Sequence, residues 1–315
     1  MTPTGDGPNA LVVPLVTPDD VERAAERIGN RARRTPVIEH DGLTLKLELL
    51  QHAGSFKTRG AFNRVLAAGA LPDGGLITAS GGNHGAAIAY VASQLAVPAE
   101  VFVPSTSPAM KRENIERFGA KVVVVEGYYD DAQRQANLRQ AFTGALMAHP
   151  FDHVDTVAGQ ATMSRELERQ VIGFDTIVIA AGGGGFLAGQ AAWLRDRVKI
   201  VCVEPESSQC VRAARLAGHP IEVSVSGLGS DSLGAKQVGA VPWSVIANYV
   251  DEAVTIDGDA MRDAQRMLWN DLRLVAEPGG AAAYAAIRSG VYVPSVGERV
   301  VVVVCGSNCD PNDVM

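Results

Sequence analysis

The sequence lacks the features that mark several large classes of protein. Its four cysteines form no C-x2-C pair, and a chain of 315 residues rarely needs a disulfide framework, so neither a zinc module nor a disulfide scaffold is indicated. No basic run occurs and the net charge is −7, which disfavours nucleic acid as a partner. No apolar stretch approaches the roughly 20 residues of a membrane span.

The N-terminus also lacks the pattern of a signal peptide. The stretch "MTPTGDGPNALVVPLV", residues 1–16, has no basic region and is interrupted by prolines. Free cysteines and the absence of a secretion signal together favour a reducing cytoplasm as the location.

Strand-like and helix-like segments alternate through most of the chain. Continuous Val/Ile runs separated by helices are typical of parallel sheets with both faces covered. The sequence therefore predicts an α/β protein built from doubly wound parallel sheets. The predicted strands are 44–50, 76–80, 99–104, 121–127, and those within "DTIVIAAGGGG" (175–185), "VKIVCVEP" (198–205) and "ERVVVVVCGSN" (298–308).

At 315 residues the chain is long for one core, so two domains are expected. Residues 71–149 carry enough strands to form a small α/β domain of their own. Residues 1–70 have too few strands to fold alone, and we expect them to join residues 150–315 in a larger domain. The small domain is then an insertion.

The strongest single motif is "TIVIAAGGGGFLAGQAAWL", residues 176–194, which reads as a strand, four glycines and a helix. Glycines let backbone N–H groups converge at a helix N-terminus, where a phosphate binds well. The pattern Gly183-x-Gly185-x-x-Ala188, with Glu204 at the end of the next strand, also fits a dinucleotide fingerprint. An NAD-dependent oxidoreductase is therefore an alternative.

A second Gly-rich turn follows a strand in "TASGGNHGAAIAY", residues 78–90. Such a turn suits a carboxylate or a second phosphate. Helix capping by Asn83 explains the asparagine without a ligand, but it does not explain the two glycines before it. His84 is interpreted as a structural hydrogen-bonding group, with a catalytic base as the alternative.

Two further residues need context before they suggest chemistry. Lys57 lies in "GSFKTRGA", residues 54–61, which taken alone indicates only a turn entering a helix. Cys305 ends a buried strand, where it either faces a ligand or is a small buried hydrophobe. Two anion-type loops and one amine nevertheless suit a cofactor phosphate, a substrate carboxylate and a Schiff-base lysine. The NAD alternative leaves Lys57 and the Asn83 turn unexplained.

These motifs together resemble the threonine/serine dehydratase group of the fold-type II (tryptophan synthase β-like) pyridoxal phosphate enzymes. "GSFKTRGA" resembles the group's lysine motif, and "SGGNH", "GGGGFLAG", "AEPGGAA" and "VVCGSNCD" follow in the family's order. The resemblance extends from about residue 17 to residue 310. Lys-Thr-Arg at 57–59 is similar to the dehydratases, whereas the cysteine and threonine synthases usually have Lys-Asp-Arg.

The resemblance implies a role for each motif. Lys57 would hold pyridoxal 5′-phosphate through a Schiff base and then remove the substrate Cα proton. Phe56 would pack on the cofactor ring, and Asn83 would hydrogen-bond the ring hydroxyl oxygen. The phosphate would be held by Gly182, Gly183, Gly184 and Gly185. The substrate carboxylate would be held by Ser80, Gly81, Gly82, Asn83 and His84.

Two departures from the family pattern refine the expected chemistry. Cys305 stands where most members have a serine at the pyridine nitrogen, a feature similar to the liver-type serine dehydratases. A neutral thiol leaves the ring a weaker electron sink, which suits rapid elimination. Gly81 stands where serine racemases carry a second serine as an acid/base, so racemase activity is not expected.

A third departure concerns a metal. The family's divalent-metal site resembles Glu-x5-Asp; Glu204 fits, but Cys210 occupies the Asp position. A thiol is a poor Mg²⁺ ligand, so a monovalent-cation site using Glu204 and backbone carbonyls is the remaining expectation.

The resemblance implies a cytoplasmic, homodimeric dehydratase (ammonia-lyase) acting on a small β-hydroxy amino acid of the serine or threonine type. Another β-substituted amino acid, such as hydroxyaspartate or phenylserine, stays open as the substrate. An NAD-dependent oxidoreductase and a non-catalytic relative also stay open as functions. The chain stops about five residues past Asp310, so no C-terminal regulatory domain and no feedback control by isoleucine are expected.

Overall fold

The computed structural model of the protein describes residues 15–314. Residues 1–14, which form most of the N-terminal stretch interpreted above as not being a signal peptide, lie outside the described residues, as does Met315. Within residues 15–314, no helix is long and apolar enough to cross a bilayer.

Helices and strands alternate along the chain. The helices are α1 Pro18–Ile28, α2 Lys57–Ala67, α3 Asn83–Leu95, α4 Ala109–Glu116, α5 Tyr129–Thr143, α6 Val154–Leu167, α7 Gly185–Leu194, α8 Cys210–Ala217, α9 Ser230–Leu233, α10 Ala240–Tyr249, α11 Gly258–Leu272 and α12 Pro278–Arg288. The strands are β1 Val37–His40, β2 Leu43–Leu47, β3 Leu76–Ala79, β4 Ala99–Pro104, β5 Lys121–Val125, β6 Leu146–Met147, β7 Thr176–Ala180, β8 Lys199–Pro205, β9 Glu252–Ile256 and β10 Val300–Val304.

The larger sheet has six strands in the order β1-β2-β10-β7-β8-β9. β2 pairs in parallel with β10, placing Leu45 opposite Val302, so the chain before residue 70 supplies strands to this sheet. β1 departs from the predicted parallel arrangement, because a tight turn at Asp41 and Gly42 folds it back antiparallel to β2. The residues of β7 and β10 are all buried, as expected for continuous apolar runs in a covered parallel sheet.

The smaller sheet is entirely parallel, in the order β5-β4-β3-β6. Its strands all fall between residues 76 and 147. The α/β class with two parallel sheets is thus confirmed. The division of the chain into domains at residues 70/71 and 149/150 stays a prediction.

Helix α2 lies between the two sheets. Ala61, Phe62 and Val65 pack into the hydrophobic cluster of the smaller sheet, so that cluster extends to residues before position 70. The opposite side of α2 meets α6, where Gly60 and Gly159 allow a close approach: a Cβ on Gly159 would lie 2.8 Å from the Gly60 Cα. The helix that begins with Lys57 is therefore held from both sides.

The motifs singled out in the sequence follow the carboxyl ends of three parallel strands. Residues 80–82 follow β3, residues 181–184 follow β7, and Cys305 follows β10. Ligands in open parallel sheets bind at these ends. The fold therefore places the predicted motifs at the edges where a ligand belongs.

Candidate active site

Lys57 is the first residue of α2 and is tied to the segment that precedes α6. Its Nζ donates to the Pro150 carbonyl oxygen at 3.0 Å. The turn before it is fixed to the end of β10, because the Phe56 N–H donates to the Cys305 carbonyl at 3.3 Å and Ser55 bridges to Gly306. The lysine motif and the C-terminal cysteine motif are thus in direct contact.

The surroundings of Lys57 favour the neutral amine. Burial lowers the pKa of Lys57 to about 8, although the nearby Cys305 and Glu277 act to raise it. An amine with such a pKa is half unprotonated near pH 8, where an ordinary lysine is almost fully protonated. It can therefore act as a nucleophile toward an aldehyde or as a base, unlike an ordinary surface lysine.

We predict that the cofactor-free protein takes up pyridoxal phosphate at a rate that rises with pH, is half-maximal near pH 8 and levels off above about pH 9. Only the neutral amine attacks an aldehyde, and it predominates above the Lys57 pKa of about 8. An ordinary lysine, with a pKa of about 10.4, would still gain rate toward pH 10. Stopped-flow absorbance after mixing measures the rate. The Lys57→Ala variant gives the absorbance change that comes from non-covalent binding alone. A rate that keeps rising through pH 9.5 without levelling off would contradict the lowered pKa of Lys57.

A buried ion cluster anchors the first turn of α2. Arg59, two residues after Lys57, donates through Nε and Nη2 to both carboxylate oxygens of Glu48 at 2.8 Å and through Nη2 to Glu166 at 3.0 Å. Strand β2 was predicted to run to residue 50 but ends at Leu47, where Glu48 begins a 3-10 turn. The cluster therefore sets the position of Lys57.

The glycine run between β7 and α7 offers unused hydrogen-bond donors. Within residues 15–314, the N–H groups of Gly182, Gly183, Gly184 and Gly185 have no acceptor. A Cβ on Gly183 would lie 2.6 Å from the Phe151 ring, so the close approach of Phe151 excludes a side chain there. Converging free donors at a helix N-terminus suit a phosphate, as the sequence predicted.

The turn after β3 is a second set of free donors. The Ser80 N–H donates to the Phe102 carbonyl at 3.0 Å, which fixes the turn to β4. Among the described residues, the N–H groups of Asn83, His84 and Gly85 at the start of α3 have no acceptor. These donors suit a carboxylate.

The side chains of Asn83 and His84 are both engaged within the protein. Asn83 Oδ1 accepts from Asn308 Nδ2 at 2.6 Å, and its Nδ2 donates one hydrogen to Glu277, which leaves the second hydrogen for a ligand. His84 Nε2 lies 2.8 Å from the Ala148 carbonyl oxygen. Burial, with the charge of Lys57, lowers the pKa of His84 to about 3. A neutral imidazole bonded to a carbonyl fits the structural interpretation of His84.

Glu277 is the main residue that the sequence reasoning missed. It is 2% exposed, and its Oε2 has no hydrogen-bond partner among the described residues. Burial raises its pKa to about 7, against the effects of Lys111 and Asn83. The motif "AEPGGAA" contains it, but nothing in the local sequence indicates that α12 carries this carboxyl to Asn83.

Cys305 and Phe56 lie where the lysine motif meets β10 and α7. Cys305 is buried, with its Sγ 3.5 Å from the Gly279 carbonyl oxygen. Burial, together with the charge of Glu277, raises the pKa of the Cys305 thiol far above neutral, so it stays a neutral thiol. The Phe56 ring stacks on the Phe186 ring with centroids 3.9 Å apart, which leaves its other face for a ligand.

The metal expectation at Glu204 stays a prediction. Both Glu204 carboxylate oxygens accept backbone N–H groups at the start of α8, from Val211 and Arg212, each at 2.8 Å. The Cys210 thiol donates to the Gly182 carbonyl oxygen at 3.3 Å, and this hydrogen bond helps to hold the glycine run in position. Within residues 15–314, no group of three His, Cys, Asp or Glu side chains is arranged to hold a metal ion.

A buried lysine with a lowered pKa beside two sets of free N–H donors defines a lysine-anchored cofactor enzyme. The family description "Pyridoxal-phosphate dependent enzyme" matches residues 28–306, and the chain belongs to this family. Its cofactor is pyridoxal 5′-phosphate. The residues present fit that group: free N–H donors at the glycine run match a phosphate, and Ser55 Oγ and Glu277 Oε2 are buried without partners among the described residues. The family match supports this interpretation over the NAD alternative.

Relatives of known description include dehydratases and a racemase. The biosynthetic L-threonine dehydratase of Escherichia coli (strain K12) is 33% identical over 84% of this chain, which spans 53% of that protein. The phenylserine dehydratase of Ralstonia pickettii is 32% identical over 90% of each chain. The structure of maize serine racemase has a TM-score of 0.88 at 30% identity and covers 95% of each chain. The chain thus spans about half of the first relative and most of the other two.

Proposed function

We propose that the protein is a dehydratase (ammonia-lyase) that converts a small β-hydroxy amino acid of the serine or threonine type into a 2-oxo acid and ammonia. The observation that carries the proposal is the Lys57 amine, which has a pKa of about 8 and lies at the contact of the lysine and Cys305 motifs. The similarity to a threonine dehydratase and to a phenylserine dehydratase supports the same reaction type.

The cofactor supplies an electron sink that lets a Cα–H bond break. Lys57 would hold it covalently, and the free N–H groups of Gly182–Gly185 would donate to its phosphate. Phe56 would pack on its ring. Cys305 would present a neutral thiol to the ring nitrogen, and the remaining hydrogen of Asn83 Nδ2 would reach the ring hydroxyl oxygen.

The protein groups around the substrate would direct an elimination. In the turn Ser80–His84, the free N–H groups of Asn83 and His84 would hold the carboxylate. The Lys57 amine would take the proton from Cα, and the β-hydroxyl would leave as water by taking up one proton, which balances the proton that Lys57 removes. The released enamine would tautomerise and hydrolyse to the 2-oxo acid and ammonia. Burial supports this role of Lys57, because it lowers the pKa of the amine to about 8 and so raises the neutral fraction that can accept a proton.

A racemase is the second candidate, because the maize serine racemase is 30% identical over 95% of this chain. Racemisation needs an acid/base group on each face of Cα, and Gly81 brings no side chain to the turn. Elimination from another β-substituted amino acid, such as hydroxyaspartate or phenylserine, differs from the main proposal only in the substrate. A homodimer is also proposed, on the family resemblance alone, and a cytoplasmic location on the free cysteines.

We predict that the purified, cofactor-loaded protein forms a 2-oxo acid and an equal amount of ammonia from L-serine or L-threonine. The assay runs a panel of β-substituted amino acids, including hydroxyaspartate and phenylserine, and measures 2-oxo acid, ammonia and the D-enantiomer in one sample. Accumulation of D-amino acid without 2-oxo acid would establish racemisation instead. If only phenylserine or hydroxyaspartate is turned over, the proposed elimination reaction stands and the proposed substrate is wrong.

A further inference from the structure

Ser107 lies where a side chain on Gly81 would project. It follows β4 in the turn 104–108, and its N–H donates to the Pro104 carbonyl at 2.9 Å. A Cβ built on Gly81 would overlap Ser107 Oγ and lie 2.9 Å from Ser107 Cβ. The Ser107 hydroxyl therefore fills the volume that Gly81 leaves open.

The Ser107 hydroxyl is available to a ligand. Among the hydrogen bonds formed within residues 15–314, none involves Ser107 Oγ, although the residue is partly buried. Ser105, two residues earlier, differs because its Oγ donates to Glu126 Oε2 at 3.2 Å. Ser105 Oγ thus has a hydrogen-bond partner in the protein, whereas Ser107 Oγ has none among the described residues.

The turn beside Ser107 is enclosed on a second side by α9. A Cβ on Gly82 would lie 3.4 Å from the Asp231 carbonyl oxygen. Asp231 also pairs with Lys111 of α4, one helical turn beyond Ser107. The turn that leads into α3 therefore has Ser107 next to Gly81 and α9 next to Gly82.

We propose that Ser107 is a substrate-binding residue whose hydroxyl donates to the substrate α-carboxylate, beside the free N–H groups of Asn83 and His84. The inference rests on the proposed function, since it takes an amino acid as the ligand of this turn. A hydroxyl next to converging N–H donors completes a carboxylate site, because each donor satisfies a different lone pair. The hydroxyl beside Gly81 would thus bind the carboxylate and would come from another part of the chain.

The test measures amino-acid binding by the cofactor-loaded protein, through the change in cofactor absorbance and by calorimetry. Ser107→Ala is expected to weaken the Kd of both glycine and L-serine by about tenfold or more, since a hydrogen bond to a charged group is lost. Glycine has a carboxylate but no β-substituent, so an equal loss for both places Ser107 at the carboxylate. The matched control Ser105→Ala should change neither Kd by more than about twofold.

Moving the serine hydroxyl from position 107 to position 81 distinguishes a lost substrate contact from a folding defect. Gly81→Ser alone should weaken binding, because the new side chain overlaps Ser107 Oγ. Gly81→Ser combined with Ser107→Gly, which also removes the Ser107 Cβ that would lie 2.9 Å from the new Cβ, should bind glycine more tightly than Ser107→Ala, since a hydroxyl returns to the same region. Unchanged cofactor content and melting temperature in these variants show that they fold.

The proposal is overturned by a Ser107→Ala protein that binds glycine as the wild type does, or by a loss confined to L-serine. It is equally overturned if the relocated hydroxyl restores nothing or if the wild type binds no glycine. The proposed function fails separately: a wild type that binds both amino acids yet forms no 2-oxo acid would end the elimination proposal and leave the Ser107 measurement valid.

Discussion

Lys57→Ala is expected to abolish the yellow colour of the holoprotein and to lower kcat for 2-oxo acid formation by roughly 10²–10⁴-fold or more, the range for a lost general base. The variant removes both the covalent anchor and the group proposed to take the Cα proton. The measurements are the absorbance of the purified protein and ammonia release at saturating cofactor. Partial rescue by an added small primary amine would support the base role, because the amine can enter the space left by the side chain.

Lys121→Ala is the matched control for this variant. Lys121 is a surface lysine, 67% exposed, that pairs with Glu100 on the smaller sheet. Its removal is expected to leave colour and turnover unchanged. A Lys57→Ala protein that releases ammonia at the wild-type rate would refute the proposed mechanism.

Arg59→Ala is expected to lower the free energy of unfolding by about 3–5 kcal/mol, the usual cost of removing one partner of a buried ion pair. Glu48 is fully buried and would lose both guanidinium bonds. Although burial acts to raise it, the Arg59 guanidinium keeps the pKa of Glu48 below its usual range. Without Arg59 the carboxylate would be an uncompensated buried charge. Urea unfolding followed by circular dichroism measures the change.

Arg266→Ala is the matched control, since Arg266 pairs with Asp263 at 3.1 Å on an exposed helix face. Its loss is expected to cost less than about 1 kcal/mol. Arg59→Ala should also lower cofactor content, because Arg59 fixes the turn of α2 that carries Lys57. A loss of stability below about 1 kcal/mol for Arg59→Ala would show that Lys46 and the Thr35 hydroxyl, the other partners of Glu48, compensate for it.

The sequence predicted the elements that have strong local patterns. The strands at 76–80, 99–104 and 121–127 appear as β3, β4 and β5 with ends shifted by at most two residues. β1 and β9 were not predicted, because each is only partly buried and has no long continuous apolar run. β6 has two residues, too few for a pattern.

The candidate site divides in the same way. Lys57, the turn 80–84 and the glycines 182–185 could be identified because each is a short Gly-rich or Gly-flanked motif beside a strand or helix, with its chemistry in adjacent residues. Glu277 could not be identified, because its role depends on the packing of α12 against the end of β10 and on its bond with Asn83. The Arg59 cluster also joins residues distant in sequence, and no spacing rule links Arg59 to Glu166.

The sequence by itself determined the α/β class, the anion-type loops and the lysine, since these depend on local conformation and on the ends of apolar runs. Only the tertiary structure decided which groups surround them. It lowered the pKa of Lys57 to about 8 by burial and left the Asn83 and His84 N–H groups without acceptors among the described residues. It also placed the Ser107 hydroxyl in the space beside Gly81. Burial and contact between distant segments arise from packing, and no single sequence motif specifies that packing.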